Sequence, residues 1–372
     1  MTRGLRMDRR AFVAAALGAG FLPAAARAQE ADAAADELIA PILAETGAPA
    51  LAGAVVTRDG FAWLGAGGVR RAGGTDKVTV EDQWHLGSNT KAMTAALYAR
   101  LAEQGRAKWG AGVAELFPKL KTDPAWSGAT IQQFMAHRAG LSDKGLIDTA
   151  WLIAAQTDPR PLPDQRRAFV AKALGAKPGL ASGTYEYANA DYVLAGAAIE
   201  RVSGLDWESA IRTELFSPLG IEGAGFGAPD GDQPWGHLNG VAVDPMQLGA
   251  DNPAAMGPAG TVHMSLEDYA RFLRVFLTDG GELLQPSSVA TLTTPWGGQP
   301  NAYALGWGTL ERRQWANGPV LTHSGSNNRW MAVAMVAPAR GLAFVTVSND
   351  RAKGEKATQA LLLKLIDRFA RA

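Results

Sequence analysis

Strand-like sequence lies near the two ends of this chain, and that distribution limits the folds open to it. Leu51–Thr57 and Phe61–Val69 are short apolar runs separated by Arg58-Asp59-Gly60, a hairpin signature. Tyr303–Leu310, Gln314–His323, Trp330–Val336 and Leu342–Asn349 have the same character. The last two are joined by Ala337-Pro338-Ala339-Arg340-Gly341, another hairpin. Helical signals fill the space between. Thr130-Ile131-Gln132-Gln133 is a capping box opening a helix to His137, and Asp191–Val202 and Trp207–Phe216 are further helical segments. Ser265-Leu266-Glu267-Asp268 caps a helix over Leu266–Leu277 with Phe272, Val275 and Phe276 on its apolar side. Residues 32–46 and 356–370 read as terminal helices. Early and late strands most simply make one antiparallel sheet packed by the first and last helices. The expected class is therefore α+β, an α/β sandwich, with its α/β part in about 31–85 and 260–372 and a mostly helical insertion in about 105–255. Residues 222–258, rich in Gly, Pro, Asp and Asn, are too long for a mere connector and are expected to shape a pocket.

At 372 residues, with 47% hydrophobic and 19% charged side chains, the chain can bury a large core. Its start reads as a targeting segment. Arg3, Arg6, Arg9 and Arg10 precede an apolar stretch from Ala11 to Leu22, which is too short to span a bilayer. Ala26-Arg27-Ala28 fits a small-x-small cleavage site, which predicts a removed leader over 1–28 and Gln29 as the first mature residue. Asp8-Arg9-Arg10-Ala11-Phe12-Val13 resembles a twin-arginine signal, implying export in a folded state to the periplasm. Residues 1–28 hold five Arg and one Asp, leaving 31 basic and 35 acidic residues, a net charge of −4. No basic run survives beyond residue 10, so a nucleic-acid partner is not expected. No membrane span is expected in the mature chain, and with no cysteine its stability must come from the core.

Three short motifs carry chemistry. Ser88-Asn89-Thr90-Lys91 stands just before an apolar run at helical spacing (Met93, Ala96, Leu97, Leu101). Residues three apart share a helix face, so Lys91 can point at the Ser88 hydroxyl, which is a weak nucleophile until a base takes its proton. The free N–H groups of a helix start suit an oxyanion. Tyr187-Ala188-Asn189 precedes the helix near Asp191. Its phenol can accept or relay a proton if nearby cations such as Lys91 lower its pKa, and its amide can bond both Lys91 and a substrate carbonyl. His323-Ser324-Gly325-Ser326 ends an expected strand. Glycine there would let a substrate approach the backbone, an edge strand could bind it through main-chain groups, and the Ser326 N–H could join that of Ser88 as an oxyanion donor.

Together, in this order, the three motifs resemble the serine β-lactamase and penicillin-recognising enzymes, in particular the class C β-lactamase-related branch with its DD-peptidases and esterases. Trp84-His85-Leu86-Gly87, His137-Arg138-Ala139-Gly140-Leu141 and Gly257-Pro258-Ala259-Gly260 add to the likeness, which spans about residues 35–350. The resemblance implies that Ser88 attacks an acyl carbonyl, that Lys91 and Tyr187 share the general-base role, and that Asn189 positions substrate and Lys91. An acyl-enzyme is then hydrolysed by water without metal or organic cofactor. The substrate would be a small molecule or peptide with an ester or amide carbonyl, held by Asn189, His323, Ser324, Gly325 and Ser326. One departure matters: class C enzymes carry Lys where this chain has His323. A histidine near neutral pH is mostly uncharged, so the cation facing an anionic substrate is lost or made pH-dependent. Esterase or D-amino-acid peptidase action is thus expected ahead of efficient β-lactam hydrolysis. The alternative is a penicillin- or peptidoglycan-binding module that acylates or binds without turnover. The five histidines show no metal-ligand spacing, His85 and His137 read as structural, and no Gly-x-Ser-x-Gly elbow is present.

Overall fold

The computed structural model describes residues 37–371, so the leader and the expected helical residues 32–36 lie outside the described residues. Residues 37–46 are helical (α1). The main sheet has strands β1 (Ala50–Thr57), β2 (Phe61–Gly68), β3 (Gly308–Arg313), β4 (Gly318–Gly325), β5 (Met331–Ala337) and β6 (Leu342–Ser348). Their order is β2-β1-β6-β5-β4-β3, every pair antiparallel, so the early hairpin is stitched to the late strands through β1 and β6. The α+β class expected from the strand distribution is the one observed.

Side chains alternate between the two faces of a strand, and the sequence of β1 shows how this sheet is sandwiched. Ala50, Ala52, Ala54 and Val56 face a large core shared with Ala332, Ala334, Val345 and Val347. Leu51 and Val55 face the opposite side, where Ile39 and Ile42 of α1 meet Leu361, Leu365 and Ile366 of the last helix. Small residues on the inner face allow close approach by Tyr269, Phe272, Leu273 and Phe276 of the helix over Leu266–Leu277, which lie in the same core. The Leu266–Leu277 and 130s helices begin as expected: Ser265 accepts the Asp268 amide, and Thr130 and Gln133 form both halves of a capping box.

Two strand boundaries differ from expectation. Tyr303–Leu310 is not one strand. Ala304 N–H donates to Trp307 O, Gly306 takes a left-handed φ of 85°, and the ladder starts only at Gly308. A Cβ at Gly306 would sit 2.6 Å from Ala92 Cα, so the turn is pressed against the helix that follows Ser88. The expected Gln314–His323 strand likewise begins at Gly318, after Asn317 turns the chain at φ 57°.

The helices that matter for the site are α2 (Thr90–Glu103), α3 (Asn189–Ser203), α4 (Leu266–Leu277) and α5 (Ala352–Ala370). Helix α2 is buried on nearly all sides, Lys91 included, which marks it as the central helix rather than a surface one. Among the described residues no helix is long and apolar enough to cross a membrane.

Candidate active site

The chain reaches Ser88 from a short strand, Trp84–His85, which pairs with Val262–Met264. A tight 3₁₀ turn over Gly87–Asn89 then feeds α2. The turn is locked from both sides. Asn89 Nδ2 donates to Leu86 O at 2.8 Å, Thr90 Oγ1 donates to Gly87 O at 2.7 Å, and the Tyr269 hydroxyl donates to Asn89 Oδ1 at 3.0 Å. Ser88 is half-buried and Lys91, on the first turn of α2, is fully buried.

Lys91 Nζ lies 3.0 Å from Ser88 Oγ, 2.8 Å from Asn189 Oδ1 and 2.6 Å from Ala259 O. Asn189 begins α3, and its amide is oriented by Asp143. Asp143 Oδ2 accepts from Asn189 Nδ2 and from the Asn189 backbone N–H, both at 3.0 Å, while Oδ1 accepts the Ala190 N–H at 2.9 Å. A carboxylate only accepts, so the Asn189 oxygen must face Lys91. Two of the three neighbours of Nζ are therefore pure acceptors. A neutral amine has two N–H donors and one lone pair, and the position left for the lone pair is the Ser88 hydroxyl. Burial pulls the lysine down to about 7, against the pull of Asp143 and Asp191 in the other direction.

Tyr187 sits 4.9 Å, ring centroid to Nζ, from Lys91. Burial raises its phenol well above its ordinary value, and the neighbouring Ser88 hydroxyl pulls more weakly in the other direction. Tyr187 as a whole residue is 37% exposed, but its phenol is enclosed by protein, and that enclosure sets the direction. Of the two groups the sequence offered as proton acceptor, burial lowers the lysine toward neutrality and raises the phenol. His137 backs it, with ring centroids 4.5 Å apart. The imidazole is buried, its Nδ1 within 2.7 Å of Asp191 Oδ2 and 3.3 Å of the Ala188 N–H.

The third motif closes the site. A Cβ on Gly87 would lie 2.3 Å from Ser326 N, and one on Gly325 would lie 2.0 Å from Leu86 O and 2.6 Å from Ser88 N. Gly325 is therefore needed for contact between β4 and the Ser88 turn. Neither the Ser88 nor the Ser326 N–H donates to a backbone or side-chain acceptor among the described residues. Ladder pairing with β3 stops at Thr322, leaving the outer edge at His323–Gly325 without a partner strand among the described residues, with Ser324 exposed. His323 is buried. Its Nδ1 lies 2.8 Å from Ser324 O, a pure acceptor, so Nδ1 carries the proton and Nε2 accepts from the Tyr303 hydroxyl at 2.8 Å. Burial, and then Lys91, push its pKa down to about 3, so the ring is neutral near pH 7.

All eight residues singled out from sequence converge here. Asp143 and Tyr303 were missed, because each reaches the site through a loop with no motif to mark it. Among the described residues, no group of three His, Asp or Glu is placed to hold a metal ion.

The Beta-lactamase family profile matches residues 35–367. Penicillin-binding protein 4 of Amycolatopsis lactamdurans is 24% identical over 305 residues, covering 76% of this chain and 76% of its own. The β-lactamase of Escherichia coli (strain K12) is 26% identical over 304 residues, covering 78% and 73%. A D-stereospecific amidohydrolase from Streptomyces superposes with a TM-score of 0.69 at 23% identity, over 89% of this chain and 98% of that one, a likeness of fold. With a profile match over most of its length, this chain belongs to the Beta-lactamase family.

Proposed function

We propose that the protein is a serine hydrolase that cleaves an ester or amide through a covalent acyl-enzyme. The arrangement around Lys91 carries this reading: a buried amine with a pKa of about 7, two acceptors filling its N–H positions, and its remaining lone pair on the Ser88 hydroxyl. Ser88 Oγ attacks the carbonyl carbon while its proton passes to Lys91 Nζ. The oxyanion that forms is met by the Ser88 and Ser326 N–H groups. The carbonyl carbon then loses its alkoxide or amine, which takes a proton delivered from Lys91 through Tyr187. Water attacks the Ser88 ester, gives up a proton by the reverse route, and releases the acid. Asn189 and the free edge at His323–Ser326 position the acyl chain.

The neutral His323 supports a narrower reading. It offers no cation to a substrate carboxylate, so esters and D-amino-acid amides are preferred to β-lactams. Labelling with a tagged fluorophosphonate, followed by peptide mapping, tests the hydrolase reading. Adduct at Ser88 is expected, and a folded protein without one overturns it. Intact-mass measurement after penicillin or an aryl ester separates turnover, in which the adduct decays, from acylation that persists. The leader belongs to the same proposal: we place the mature enzyme in the periplasm from Gln29, which the N-terminal mass of exported protein checks.

A further inference from the structure

The proposed mechanism needs the Ser88 and Ser326 N–H groups to aim at one point, yet they come from segments 238 residues apart in sequence. A buried chain of hydrogen bonds joins those segments. The Gly87 N–H donates to His85 Nδ1 at 3.1 Å, so that ring nitrogen is unprotonated and the proton sits on Nε2. Nε2 lies 3.0 Å from Asp251 Oδ2, to which it donates. Asp251 Oδ1 accepts from Asn327 Nδ2 at 2.7 Å. Asn327 Oδ1 in turn accepts the Arg329 and Trp330 N–H groups, each at 3.1 Å. The chain therefore runs from the residue before Ser88 to the residue after Ser326. His85 is 0% and Asn327 2% exposed, and the Asp251 side chain is 8% exposed. Trp84 and Trp330 meet edge-to-face at 6.1 Å beside it. Gly87 holds a left-handed φ of 52°, which the bond to His85 helps to maintain.

We infer that Asp251 and His85 are positioning residues that hold the Ser88 and Ser326 amides in one frame for the carbonyl oxygen. This rests on the hydrolase reading. Asp251 is the pivot because a carboxylate accepts at both oxygens, and each faces an N–H donor. With asparagine there, one donor meets an NH₂ group instead. Either Asn327 loses its partner or His85 shifts its proton to Nδ1 and turns a donor toward the Gly87 N–H. Each outcome loosens one amide relative to the other while leaving the hydrogen bonds of Lys91 intact.

The test compares wild type with Asp251→Asn on p-nitrophenyl acetate and its thionoester, whose sulfur is a poor hydrogen-bond acceptor. We expect kcat on the oxygen ester to fall about 10-fold or more, short of the 10²–10³ lost with a whole oxyanion donor. KM should stay within about threefold. The thionoester should suffer less, so the oxygen-to-sulfur rate ratio falls, and the pH midpoint of acylation should not move. An unchanged ratio in folded Asp251→Asn overturns the inference, since a merely structural role would slow both esters alike. If that variant does not fold, Asn327→Ala breaks the chain one link further on: a fallen ratio supports the inference and an unchanged one overturns it. Wild type that neither turns over the esters nor takes fluorophosphonate at Ser88 overturns the hydrolase reading and this inference with it. Labelled, active wild type with an unmoved variant ratio overturns the inference alone.

Discussion

Lys91 is buried, which costs stability and, in the proposed mechanism, serves the chemistry. Its folded value is about 7 against an ordinary 10.5. Acylation needs the neutral amine, so its rate should climb with pH through about 7 and level off above it, as single-turnover labelling of Ser88 would record. The sign for stability follows from the same shift. Between about 7 and 10.5 the unfolded chain binds the proton and the folded one does not, so stability rises with pH across that window. Below it, both states are protonated and the buried charge destabilises the fold. Lys91→Met should therefore abolish acylation yet melt higher at pH 6, by roughly 2–4 °C for each kcal/mol recovered. Burial raises the Tyr187 phenol, which suits the role of leaving-group donor that the proposed mechanism gives it. Tyr187→Phe should cut kcat on an amide by about 10²–10⁴, and on a p-nitrophenyl ester, whose leaving group needs no proton, far less. Equal losses on both substrates would remove the phenol from that step.

At the scale of elements, the site depends on how closely α2, α3 and residues 257–260 pack. Gly196 of α3 has no room for a side chain: a Cβ would lie 2.1 Å from Pro258 Cγ. Pro258 O accepts from Thr94 Oγ1 at 2.8 Å, and the next carbonyl, Ala259 O, is the one that meets Lys91. Gly196→Ala should push this segment away, costing about 1–3 kcal/mol in thermal or urea unfolding and lowering kcat through the lysine. A variant that loses stability but keeps kcat would show that Ala259 does not orient the amine. The Ser-x-x-Lys spacing could be read as one helix face because residues three apart meet where the 3₁₀ turn runs on into α2. Tyr303 could not be placed that way. Its segment reads as strand, and only Gly306 folding back against Ala92 carries the phenol to His323.

For the whole molecule, the two faces of the sheet divide labour. The outer face, between α1 and α5, shares no residue with the site, whereas the inner face adjoins α2 and α4. Leu365→Ala on the outer face should cost about 2–5 kcal/mol of unfolding free energy and leave kcat/KM of the folded protein within about twofold. A large drop in activity below the melting transition would show that the faces are coupled. Binary patterning, capping residues and the three motifs, all local features, carried the α+β class, the capped helix starts at Thr130 and Ser265, and eight candidate site residues in the amino-acid sequence alone. Tertiary structure decided what depends on distance between remote segments. That includes the direction of each pKa, which is set by burial, the proton-bearing nitrogen of His323, and the partners Asp143, Asp251 and Asn327. A side chain's type states which hydrogen bonds it can make, but only the packed fold determines which groups are near enough to make them and whether water is excluded.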